Sequence, residues 1–294
     1  MKHKVKIGII GGSGLDNADI LSDRKETHVQ THFGNPSDVI IEGNIQGVPC
    51  ALLARHARDH SIMPTDVNYR ANIMALKSVG CTHLVVSTAC GSLKEEINPG
   101  DIVILDSFID RTTKRQCTFY DRTSPSFPGV CHLPMEPAFC NRTRQIIMQC
   151  AEKLHFKYHE TGTCITIEGP RFSSRAESKL FKSWGGDVIN MTTVPEVVLA
   201  KEAGLCYAAI ALVTDYDSWR DVGSFVSVSD VLESFRKNVK KVTELIISSV
   251  IEIGNLDWDE TIDSLQVGFR ICNCTEAMRI VSWSTTLSAI YTVF

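Results

Sequence analysis

Cys206-Tyr207-Ala208-Ala209-Ile210-Ala211-Leu212-Val213-Thr214-Asp215-Tyr216-Asp217 is the stretch from which the fold of this chain is read. Its first eight residues are nearly all apolar and the run is short, which predicts a strand buried on both faces. Such strands belong to sheets covered by helices, and these sheets take ligands just past the strands' carboxyl ends. Asp215 and Asp217 stand at such an end. Two carboxyls one residue apart suit proton donation. One accepts hydrogen bonds while its neighbour, crowded by that charge, keeps a proton. The plainer reading is a solvated turn, since Asp is common in loops.

Outward from that strand, the pattern alternates between strands and helices. Val5–Ile10 is read as a strand entering Gly11-Gly12-Ser13-Gly14. Val39–Ile41 and Val48–Ala54 read as a strand pair joined by a turn-rich link. Val67–Val79 has helical spacing and stops at Gly80. His83–Thr88 and Asp101–Leu105 read as strands, and Asn141–Leu154 as a helix. Cys164–Ile167 is a strand, Ser174–Trp184 a helix and Asp187–Met191 a strand. Thr193 is placed to cap the next helix, with Glu196 three residues on, and Gly204 ends it. A long helix follows the Ser229 cap to Val250. The expected fold is a single α/β domain over residues 1–294, with a central mixed, mostly parallel sheet flanked by helices. Thr112–Pro137 is long and irregular but too apolar for a spacer. A loop of that kind inside a domain is more often functional, over a site or into a neighbouring subunit.

Composition narrows the function. The chain has 294 residues, 44% hydrophobic and 22% charged, with a formal net charge of -4 and no basic block. That is an ordinary soluble balance and disfavours nucleic acid as a partner. No run of 18 apolar residues suggests a membrane span. The opening Met1–Gly11 is too short and glycine-rich for a signal peptide, so the expected location is the cytoplasm. The 11 cysteines are then expected as reduced thiols. Cys272-Asn273-Cys274 lacks a second pair at zinc spacing, and His56 and His60, although at i, i+4, lack the glutamate of a zincin. No metal site is expected.

Several strand ends carry polar groups. The glycines after Ile10 fail the dinucleotide fingerprint, since Asn17 stands where its third glycine would fall, and no lysine completes a Walker loop. What remains is a glycine turn with the Ser13 hydroxyl, which suits a free phosphate or simply a tight turn. Arg55-His56 ends another strand, with a forked cation and a second donor for an oxyanion. Thr88-Ala89-Cys90-Gly91-Ser92 and Thr192-Thr193 add hydroxyls and N–H groups. If these ends converge, the ligand is a small tetrahedral anion such as orthophosphate. Phe172 and Met191 flank either a flat apolar slot for a heteroaromatic ring or ordinary core.

These segments resemble, in order and spacing, the purine nucleoside phosphorylase family. The segments that carry the likeness are Ile7–Leu15, Arg55-His56, Ser87–Leu93, Thr166–Glu177 and Asn190–Glu196, and it runs from about Val5 to about Glu260. It is closest to the trimeric members that act on S-methyl-5′-thioadenosine. The resemblance implies phosphate-driven cleavage of the N-glycosidic bond to adenine and 5-methylthioribose 1-phosphate, in purine and methionine salvage. It implies no cofactor, orthophosphate being a co-substrate, and a homotrimer in the cytoplasm, with the nucleus as a further location. Ser13, Arg55, His56, Thr88, Ala89 and Thr192 would hold phosphate. Met191 would lie against the ribose, with Phe172 beside the base. Asp215 and Asp217 would face N7 and the exocyclic amine, Asp215 acting as the acid with His56 beside the phosphate. Ser173 and Val228 would tune base and 5′-group choice. His60, and His132 from a neighbouring subunit, would border the 5′ end.

The segment from about residue 265 departs from the family pattern, and strictness for the 5′-methylthio group is the property it leaves open. A broader phosphorylase that also uses adenosine is the alternative. A catalytically silent nucleoside-binding protein is the reading from another class, and it would bind ligand without phosphate-dependent turnover.

Overall fold

The computed structural model describes residues 2–12, 18–221 and 227–272. In chain order it contains β1 (Ile7–Gly11), β2 (Ser22–Thr27), β3 (Ile40–Ile45), β4 (Val48–Ala54), α1 (Tyr69–Ser78) and β5 (His83–Ser92). Then come β6 (Ile102–Ile104), β7 (Ser107–Arg111), α2 (Asn141–Lys153), β8 (Tyr158–His159) and β9 (Thr163–Ile167). The chain continues with α3 (Arg175–Ser183), β10 (Val188–Asn190), α4 (Thr193–Glu202), β11 (Cys206–Asp215), α5 (Val228–Gly254) and α6 (Asp259–Cys272).

All these strands join one mixed sheet in the order β2-β3-β4-β1-β5-β10-β9-β7, and β11 leaves it at β5 to reach β6 and β8. β5 is the branch point. It runs parallel to β1 and β11, and its last residues turn antiparallel to β10. Two hydrophobic layers explain why β11 reads as continuously apolar. Tyr207, Ala209, Ala211 and Val213 pack on the α1 and α4 side with Ile73, Leu76 and Val197. Cys206, Ala208, Ile210 and Leu212 pack on the other side with Ile147, Leu245 and Ile246 of α2 and α5. With period-2 side chains, a strand covered on both faces has no polar register left until it ends.

The local signals behave unevenly. Ser174 caps α3 in a complete capping box with Glu177. The capping reading for Thr193 and Glu196 is corrected. The cap position is Thr192, it makes no side-chain cap bond, and Val194 is extended (φ -106°, ψ 132°). Glu196 turns away to pair with Arg55. Ser229 is likewise inside α5 rather than capping it, because the helix begins at Val228. The strands β2, β7 and β8 and the helix α6 have no counterpart in the sequence reading. Part of segment 112–137 packs into the core of the chain. Phe119 is fully buried and stacks on Phe127 at 5.2 Å, with Phe33 against both, while Arg70 pairs with Asp121 at 2.5 Å. Residues 265–272 of the divergent C-terminal segment continue α6, and 273–294 lie outside the described residues.

His83 of β5 supplies a stability test. It is buried edge-on to Trp258, with ring centroids 4.2 Å apart, and Nε2 has no partner among the described residues. Burial, aided by the Arg142 charge, pushes its imidazole down to about 3. The unfolded chain therefore takes up a proton near pH 6.5 that the folded one refuses, so stability is full above that pH and falls as pH drops toward 3. Urea unfolding at pH 7 and pH 5 should show the wild type losing about 2 kcal/mol more than His83→Phe over that interval.

Candidate active site

The ends of β4, β5, β9, β10 and β11 open on one cleft of about 380 Å³. Arg55, His56, His60, Thr88, Ala89, Phe172, Ser173, Met191, Thr192, Asp215 and Asp217 all line it. The structure thus brings together eleven of the sequence-selected residues from distant parts of the chain. His132 is exposed and does not line the cleft. Val228 opens α5, with its side chain outside what is described, while Val231 and Leu232, three and four residues on, are at the cleft wall. Ser13 lies outside the described residues.

Arg55 is almost wholly enclosed, at 1% exposure. Its Nε and Nη2 donate to the two carboxylate oxygens of Glu196 at 2.7 and 2.9 Å, and Nη1 donates to the Ser87 carbonyl at 3.0 Å. Burial opposes its charge, but Glu196 outweighs that and holds the guanidinium protonated beyond its ordinary range. Tyr207 of β11 also donates to Glu196, at 2.9 Å. Beside this pair, Asn190 ties two hydroxyls together. Its amide donates to Thr88 at 2.9 Å and to Thr193 at 2.7 Å, and the Thr88 and Thr192 hydroxyls sit 3.3 Å apart. Gly12 brings bare backbone to the same place: a Cβ there would lie 3.1 Å from Nη1 of Arg55.

His56 is positioned differently from its sequence reading as a chargeable donor. Its Nδ1 is 2.8 Å from the Ile62 carbonyl, which only accepts, so Nδ1 carries the proton. Burial and then the Arg55 charge lower its imidazole to about 4, so the ring is neutral near pH 7.

The carboxyl pair sits over β5. Asp217 adopts a left-handed backbone (φ 46°), and its N–H donates to Oδ1 of Asp215 at 2.7 Å, an Asx turn. The Thr214 hydroxyl lies 2.7 Å from Oδ2 of Asp215. Asp217 is buried, and its Oδ2 has no hydrogen-bond partner among the described residues. The Ser173 and Ser178 hydroxyls are near enough to favour its charge, but they too are buried without a partner in hydrogen-bond geometry. Burial first, with Asp215 adding, raises the proton affinity of Asp217. Asp217 therefore holds a proton more readily than an ordinary aspartate.

Two glycines make room for these groups. A Cβ on Gly91 would lie 3.0 Å from Oδ1 of Asp215 and 3.2 Å from Cβ of Asp217. Gly169 has φ +68°, and a Cβ there would strike Met191 Sδ at 2.5 Å. Arg115, which sequence reasoning missed, fixes the same rim. It donates to the Met191 carbonyl at 2.6 Å, Val194 at 2.7 Å and Glu168 at 2.8 Å, and stacks over Tyr69. It sits in an irregular loop with no periodicity to mark it. Ile62, Met63, Pro64, Ile189, Val231 and Leu232 complete an apolar wall around Phe172 and Met191. Among the described residues no three His, Cys, Asp or Glu side chains group as a metal site.

Residues 6–252 match the phosphorylase superfamily. S-methyl-5′-thioadenosine phosphorylase of Anopheles gambiae is 66% identical over 265 residues, covering 90% of this chain and 95% of the relative. The Danio rerio enzyme of the same name is 60% identical over 260 residues, with 88% and 93% covered. A solved structure of methylthioadenosine phosphorylase from Schistosoma mansoni in complex with adenine superimposes with a TM-score of 0.89 at 45% identity, covering 92% of this chain and all of that one. A point mutant of adenosine/methylthioadenosine phosphorylase from that organism, in complex with methylthioadenosine, gives 0.88 at 45% identity, covering 92% of this chain and 99% of that one. The chain belongs to the phosphorylase superfamily, in its S-methyl-5′-thioadenosine phosphorylase family.

Two substitutions test the site's construction. Glu196→Ala strands the buried Arg55 charge and should cost about 3–5 kcal/mol in urea unfolding, as for other broken buried pairs. Gly91→Ala pushes on the carboxyl pair itself. Steady-state kinetics should show roughly a 100-fold loss in kcat/KM from misplaced groups, with unfolding midpoints changed far less.

Proposed function

We propose that this protein cleaves S-methyl-5′-thioadenosine with orthophosphate, releasing adenine and 5-methylthioribose 1-phosphate, a step of purine and methionine salvage. The observation that carries the reading is the convergence in one cleft of a donor-lined corner around Arg55 with a pair of carboxyls, one of them buried. β5 links the two. Thr88 belongs to the corner, and Gly91, three residues on, lies under the carboxyl pair, roughly 10 Å away at strand rise. That is the scale of a nucleoside spanning from its sugar to the far edge of its base.

In this reading Arg55, Thr88, Thr192 and the Ala89 and Gly12 backbone hold phosphate below the sugar, with Ser13 and His56 beside it. As the glycosidic bond stretches, C1′ becomes cationic. The fixed phosphate dianion stabilises that charge and is already placed to attack, which replaces a costly encounter. Adenine is a poor anion, so protonation at N7 lowers the barrier. Asp215 and Asp217 share the proton that goes there and receive the exocyclic amine, and the pair titrates as a unit. Phe172 and Met191 cover the base and ribose, Ser173 adds a hydroxyl at the base, and His60, Val228 and the wall of Val231 and Leu232 border the 5′ group. An apolar wall suits a methylthio group better than a hydroxyl, which supports this substrate over adenosine.

The same reading takes the protein as a homotrimer. His132 is exposed and outside its own cleft, as a residue contributed to a neighbour's site would be. Sedimentation should give three times the chain mass. Nine of the cysteines, from Cys50 to Cys206, form no disulfide, in keeping with a reducing cytoplasm.

The test is adenine release from methylthioadenosine, adenosine and inosine, with and without phosphate. Phosphate-dependent release favouring methylthioadenosine is expected, and release indifferent to phosphate would overturn the reading. Asp215→Ala should lose most turnover. Because burial raises the proton affinity of Asp217, kcat should decline on the alkaline side as the pair loses its proton. Asp217→Asn, with a permanent N–H donor, should flatten that decline in a pH–rate profile.

A further inference from the structure

Arg115 does not line the cleft, yet it is as enclosed as Arg55, with 1% of its side chain exposed. Its charge is met by Glu168, with Nε 3.3 Å from Oε1. The rest of the fork is spent on main chain. Nη1 donates to the carbonyls of Met191 at 2.6 Å and Val194 at 2.7 Å, and Nη2 donates to the carbonyl of Glu168 at 2.8 Å. Each of these carbonyls lies where regular structure ends or breaks. Met191 follows β10 and Glu168 follows β9, and the extended backbone of Val194 turns its carbonyl out of the helical ladder of α4.

The two carbonyls on Nη1 bracket Thr192. That residue is buried, its hydroxyl sits 3.3 Å from that of Thr88, and it makes no side-chain bond as the cap of α4. The Asn190 amide is spent on Thr88 and Thr193, which leaves Thr192 only a long 3.4 Å bond from its N–H to Asn190 Oδ1. The Thr192 hydroxyl is therefore placed by its backbone, and Arg115 holds that backbone on both sides. The Glu168 carbonyl extends the same control to β9. Gly169, the next residue, packs against Met191, where a Cβ would lie 2.5 Å from Sδ. One guanidinium thus fixes the Met191 main chain and the glycine on which the Met191 side chain rests.

We propose that Arg115 is a positioning residue for the reaction: it sets the Thr192 hydroxyl and the Met191 side chain at their working separation, so that phosphate and sugar meet in line. The inference rests on the phosphorolytic reading above. Arg115 lies outside the cleft, so it acts on alignment and touches neither ligand. The carboxyls Asp215 and Asp217 hang from the end of β11, outside the segments that the fork joins, and base recognition is independent of it. Lysine is no substitute, because a point charge cannot hold carbonyls of three segments as a planar fork does.

The test uses the intact enzyme with Arg115→Lys and, as a second variant, Arg115→Gln. Neither strands the Glu168 carboxylate, which keeps Thr65, Thr113 and Lys114 as donors. With methylthioadenosine and phosphate, each variant should lower kcat by about 100-fold through misalignment. The Kd for adenine alone, read by calorimetry, should not change. Double-mutant cycles separate positioning from general loosening. In a Thr192→Val background, which has no hydroxyl left to place, Arg115→Lys should cost only about tenfold. In an Asp217→Asn background it should cost its full factor. Equal factors in the two backgrounds, or an adenine Kd that weakens in step with kcat, would overturn the proposal while leaving phosphorolysis intact. Adenine release that ignores phosphate would overturn both.

Discussion

The buried ion pair between Arg55 and Glu196 is the constraint on which the cleft depends. An arginine at 1% exposure is tolerable only with a fixed counter-charge, and Glu196 meets it with two parallel hydrogen bonds. That requirement joins the end of β4 to the start of α4. The Ser87 carbonyl adds β5 and the Tyr207 hydroxyl adds β11. Four elements that carry polar groups are thereby held at one corner before any ligand arrives. Two of the five guanidinium N–H groups are taken by Glu196 and one by Ser87, so the fork reaches a ligand with what remains. The pair is better understood as the anchor of an anion corner than as a clamp in its own right.

Preorganisation of this kind explains the division of labour across β5. Near Thr88 the strand is surrounded by donors, with Asn190 aligning the hydroxyls of Thr88 and Thr193. Three residues later, Gly91 lets two carboxyls lie against the backbone. One strand therefore presents a positive and donor-rich end and an acidic end to the same cleft. A substrate that gains positive charge in its middle and negative charge on its leaving group is stabilised by both, and neither end must reorganise during reaction.

Much of this was legible in the chain itself. β11 and its carboxyl pair were readable because burial on both faces leaves a continuous apolar run, and the first polar residues mark its end. The strand-end residues Arg55, Thr88 and Thr192 were readable for the same reason. Glu196 was misread, because an acidic residue three positions after a threonine has the same pattern whether it caps a helix or meets a distant arginine. Arg115 was invisible, since its role lies in carbonyls just past β9 and β10 and within α4 that only the fold brings together. β2 escaped notice because Ser22–Lys25 and Glu26 are exposed at the sheet's edge and show no alternation. The tautomer of His56 depends on a carbonyl six residues away across a turn, and no spacing rule encodes it.

The central claim is that phosphate, not water, takes the place of adenine on the sugar. The direct measurement is ³¹P NMR of the products formed from methylthioadenosine and ¹⁸O-labelled phosphate. The account predicts a sugar 1-phosphate whose bridging oxygen carries the label and shows its isotope shift. Free methylthioribose, with the label left entirely in inorganic phosphate, would contradict it.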